Sequence, residues 1–113
     1  MNEFVQILQA AYKTIKAEDP SAKVVLSGFG SSKLDQIFYS EKKGPQAREK
    51  IINLFKLAKN FYDILDIHLY HNPDDVGGKI ELAQRLMEEA GYSVNSLQNY
   101  LSLLLLYFLY GVS

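Results

Sequence analysis

Cysteine is absent from the 113-residue chain, which removes disulfides, thiolate metal sites and a thiol nucleophile together and leaves the redox compartment open. An excess of one charge is also missing. Twelve basic residues face thirteen acidic ones without long blocks of either sign, so there is no electrostatic footprint for nucleic acid. No apolar run reaches the roughly 20 residues that a membrane-spanning helix requires. The longest, Leu103 to Tyr110, lies in an apolar tail from Leu97 to Val112, which reads as a buried helix or strand needing a partner surface rather than as a membrane span. The Met1 end shows no basic stretch followed by an apolar one, so no secretory signal is expected. What is present, 48% apolar and 22% charged residues, is the composition of one small globular domain.

Periodicity then orders the chain. Phe4, Ile7, Leu8, Ala11 and Ile15 recur at helical spacing from Glu3 to Ala17, and Asp19-Pro20 closes that helix because proline disfavours helical backbone in the residue before it. Lys23 to Gly28 holds Val24, Val25 and Leu26, a short β-branched run suited to a strand covered on both faces. Lys33 to Gly44 reads as a long polar loop anchored by Phe38 and Tyr39. Pro45 suits the first turn of a helix whose apolar stripe is Ile51, Leu54, Phe55 and Ala58. A strand follows from Tyr62 to Tyr70, then a turn at His71-Asn72-Pro73. A last helix, capped by Asp74 or Asp75, buries Ile80, Ala83, Leu86, Met87 and Ala90 before Gly91 ends it. Helix and strand alternate, which implies parallel strands joined by right-handed helical crossovers.

The strand from Tyr62 carries the most chemistry. Leu65, Ile67 and Leu69 alternate with Asp66, His68 and Tyr70, so a period of two gives an apolar face and a face of ionisable, hydrogen-bonding groups. His68 and His71 with Asp74 and Asp75 could be read as nitrogen and oxygen metal ligands. Residues three apart on a strand point to opposite faces, however, and no metal or other cofactor is expected. Ser27-Gly28-Phe29-Gly30-Ser31-Ser32 lacks the Gly-Lys-Ser/Thr ending of a phosphate loop and opens into no obvious helix, so a plain turn at the strand's exit is preferred. Phe38, Tyr39, Phe61 and Tyr62 could stack on a sugar ring, but aromatics at element boundaries more often pack.

Two of these segments resemble a known family. The run from Phe4 to Gly28, with its helix, Asp19-Pro20 and strand, is similar to the fourth helix and fifth strand of the clan A retaining glycoside hydrolases. Tyr62 to His71, with its Asp66-x-His68-x-Tyr70 pattern, resembles their sixth strand, and Val76 to Gly91 their sixth helix. The resemblance implies an α/β fold, a partial (β/α)8 TIM-barrel segment over residues 1–92, with residues 93–113 as a divergent apolar tail. It implies a β-linked carbohydrate as ligand, with His68 binding the sugar and Tyr70 hydrogen-bonding the nucleophilic carboxylate, which favours that carboxylate's charged form.

Retaining hydrolysis needs two carboxyl groups about 5 Å apart, which the family takes from its fourth and seventh strands. Asn2-Glu3 mimics the acid/base dipeptide but opens directly into a helix, where Glu3 suits the helix dipole. After Gly91-Tyr92 no Thr-Glu arrives, and the last glutamate is Glu89. The expectation is a fragment of an O-glycosyl hydrolase without either catalytic glutamate and without turnover, its tail from about Ser93 translated out of the ancestral frame. The alternative is a non-catalytic α/β binding or assembly module, self-associating through open sheet edges and docking through its leucine-rich tail.

Overall fold

The computed structural model describes residues 3–29, 31–67, 72–93 and 101–103. Four helices and three short strands follow one another: α1 (Glu3–Glu18), β1 (Val25–Phe29), α2 (Ser31–Tyr39), α3 (Gly44–Ala58), β2 (Ile64–Ile67), α4 (Val76–Glu89) and β3 (Leu101–Leu103), with a one-turn 3-10 helix, Pro73–Asp75, leading into α4. β1 and β2 pair in parallel, and β3 adds in parallel to the other side of β2, giving the order β1-β2-β3.

This architecture corrects the expected barrel segment. The chain is mostly helical and forms a small α/β domain around a short parallel pair of five and four residues, extended by the three residues of β3. Part of the difference lies in residues 33–44, expected to be a loop. Leu34, Ile37 and Phe38 hold the i, i+3, i+4 spacing of a helix, and α2 forms there with Leu34 wholly buried. The rest lies in the core. Leu8 of α1, Leu34 of α2, Ile51 and Phe55 of α3, and Leu82, Ala83, Leu86 and Met87 of α4 join Val24, Leu26, Leu65 and Ile67 in one apolar cluster.

α1 shares only Leu8 with the buried stripe expected of it. Val5 and Leu8 are buried and Tyr12 packs against the core, its ring 6.3 Å edge-on from Phe61, whereas Ile7 is 69% and Ile15 39% exposed. Lys16, one turn beyond Tyr12 on the same side, reaches Asp63 at 2.9 Å. α3 begins with Pro45 in its first turn and buries Ala47, Ile51, Phe55 and Ala58. α4 ends at Gly91, whose φ of 96° suits a residue without a β-carbon, and the Tyr92 N–H returns to the Met87 carbonyl at 3.0 Å.

Buried tyrosines join the elements behind the sheet. The hydroxyls of Tyr62 and Tyr92 lie 2.6 Å apart, and the Tyr92 hydroxyl also donates to the Phe55 carbonyl at 2.9 Å. Tyr62, placed at a boundary by sequence, is therefore a core residue bonded through its polar tip.

At the amino ends of β1 and β2 the two strands hold each other by polar contacts. The Val24 carbonyl accepts the N–H groups of Asp63 and Ile64 at 2.8 and 3.2 Å, while the Val24 N–H donates to Asp63 Oδ2 at 2.8 Å. Lys16 completes the knot by donating to the Ala22 carbonyl at 2.6 Å and pairing with Asp63. Burial works to raise the Asp63 pKa, but the Val24 N–H and the Lys16 ammonium outweigh it and hold the carboxyl below its ordinary value.

Candidate functional site at the carboxyl ends of the strands

Register fixes what each face of the sheet carries. Leu26 pairs with Leu65, and both belong to the core cluster. Val25 pairs with Ile64, and with Asp66 they occupy the opposite face, because strand side chains alternate. None of those three belongs to the cluster. Val25, expected to be covered, is 47% exposed, whereas Asp66 is only 7% exposed. A carboxylate in the middle of a strand is thus withdrawn from solvent on the face opposite the helical core. The expectation of an outward polar face is met by a buried carboxyl group. Asp66 also stands in register with Ser102 of β3.

The sequence-derived sugar residues, His68 and Tyr70, lie outside the described residues, as does His71. What the structure does place is the approach to them. β2 delivers Asp66 and Ile67 to its carboxyl end, and β1 reaches the same end with an irregularity: Leu26 and Phe29 pair with Leu65 and Ile67, so β1 spends three steps where β2 spends two. Such a bulge increases local twist and redirects a strand end. The glycine-rich exit of β1, read as opening into no helix, runs directly into α2.

The elements leaving the two strands meet in a cluster that sequence reasoning did not assemble. Lys79 of α4 is 1% exposed, and its Nζ lies 2.8 Å from Asp35 Oδ1 of α2. The ammonium stands 4.8 Å from the centroid of the Tyr39 ring and 6.0 Å from that of Phe38, close enough for cation–π attraction. Those two rings meet edge-on at 5.0 Å, and the Tyr39 hydroxyl donates to Asp75. The fit is close at Gly78, where an added β-carbon would lie 2.9 Å from Phe38 Cε2.

The signal for this cluster was present in α4. Its apolar stripe at positions 82, 83, 86, 87 and 90 continues backward to 79, where a lysine stands in place of an aliphatic residue. Burial acts to lower the Lys79 pKa, but hydrogen bonds to Asp35 and Tyr39 prevail and raise it above the ordinary value. The amine therefore stays protonated, which suits an ion-pairing tie and not a nucleophile. The bond to Asp75 is the main cause that raises the Tyr39 pKa, so that hydroxyl remains a donor. Phe38 and Tyr39, weighed above as sugar-stacking rings, are engaged around Lys79.

Among the described residues no group of three or more histidines and carboxylates could hold a metal ion, and no helix is long and apolar enough to cross a membrane. Fold and site define a small parallel α/β domain with polar groups gathered at its strand ends. Comparison with known proteins finds no matching family model, no matching curated protein and no matching solved structure.

Proposed function

We propose that the chain is a non-catalytic carbohydrate-binding relative of the retaining O-glycosyl hydrolases, holding a β-linked sugar with His68 and Tyr70 and turning none over. The observation that carries this reading is Asp66, a carboxylate withdrawn from water on the face opposite the helical core and two residues before His68. In the sequence His68 and Tyr70 follow Asp66 at intervals of two, the spacing that puts strand residues on one side. A carboxyl, an imidazole and a phenol at that spacing offer both donors and acceptors for sugar hydroxyls.

Titration calorimetry with β-linked oligosaccharides tests the reading. Binding is expected, weakened about tenfold or more in His68→Ala through loss of a hydrogen bond to the ligand, together with no release of an aryl β-glycoside. Absence of binding across cello-, xylo- and manno-oligosaccharides would defeat it.

A second reading, assembly, draws on the exposure of Ile7, Ile15 and Val25, with Val25 on the strand at the end of the β1-β2-β3 order. A concentration-dependent shift on a sizing column is its expected sign, and a monomer at all concentrations its refutation.

A further inference from the structure

We draw no further inference here: the strongest candidate, the outward apolar stripe of α1 formed by Ile7, Ala11 and Ile15, is an exposed helix face and nothing in the structure shows what covers it.

Discussion

Two lysine–aspartate pairs hold the two ends of the sheet, and they are built differently. At the amino ends Lys16 and Asp63 lie 2.9 Å apart, each about one-fifth exposed, and Asp63 also receives the Val24 N–H. At the carboxyl ends Lys79 and Asp35 lie 2.8 Å apart with the lysine wholly buried and aromatic rings around it. Length and chemistry are nearly identical. Solvent is the variable. The first pair trims the register of two strands that backbone bonds already join. In the second, a charge withdrawn from water is strongly committed to its partner, which stands on α2 beside the buried Leu34.

Unequal truncation costs are the sharpest way to separate the ends. Lys79→Ala, which leaves Asp35 without its partner and empties a packed position, is expected to cost about 3–5 kcal/mol, against about 0.2–1 kcal/mol for Lys16→Ala. Urea unfolding followed by helical circular dichroism measures both. Equal costs would erase the distinction. Replacing the buried lysine by methionine together with Asp35→Leu is expected to be neutral or stabilising, since apolar packing of similar volume can replace a buried pair.

Titration should attack the two ends from opposite directions. Asp63 has a depressed pKa in the folded chain, so its contribution is complete above the ordinary carboxylate value of 3.8 and is lost as the pH falls through the lower folded value. Lys79 has a raised pKa, so its contribution is complete below 10.5 and is lost as the pH climbs through the higher folded value. Urea midpoints followed from acid to alkali are therefore expected to lose part of their acid slope in Asp63→Asn and part of their alkaline slope in Lys79→Met. Reversed assignments would break the comparison.

The smallest expected effect belongs to Gly78→Ala. Helix propensity favours alanine by about 1 kcal/mol, while the new β-carbon would meet Phe38 Cε2 at 2.9 Å and push that ring from Lys79. A net change within about 1 kcal/mol is expected, turning clearly stabilising in a Phe38→Ala background. A double-mutant cycle reads the coupling.

These features were unevenly legible in the sequence. α1, α3, α4 and both strands of the central pair follow from apolar period and from Pro20, Pro45 and Gly91, because such signals are local. α2 escaped because Leu34, Ile37 and Phe38 sit among Lys33, Asp35 and Gln36 in a stretch whose polarity suggests a loop. The stripe of α1 was judged only in part, with Leu8 but not Val5 expected inside, because Ile7 and Ile15 are as apolar as Val5 and local spacing does not say which face meets the core. The barrel expectation failed for a related reason: a match of two strand phrases carries no information about strand length or about where the core closes. At the site, Asp66 was recognised as polar but not as buried, and the partnership of Asp35 with Lys79 joins segments that share no local pattern.

The reciprocal bonds between Val24 and Asp63 have a further consequence, for the order in which the chain folds. They join residues 39 apart, and closing a flexible loop of that length costs on the order of 3 kcal/mol in chain entropy, more than the net 0.5–1.5 kcal/mol of a typical hydrogen bond returns. The loop is closed early only if something shortens it. α3 lies within it, and fifteen residues wound into helix span only about 22 Å. Strand pairing is therefore expected to follow the collapse of α3 through Ile51 and Phe55, which would show as high φ-values in α3 and low ones in β1 and β2.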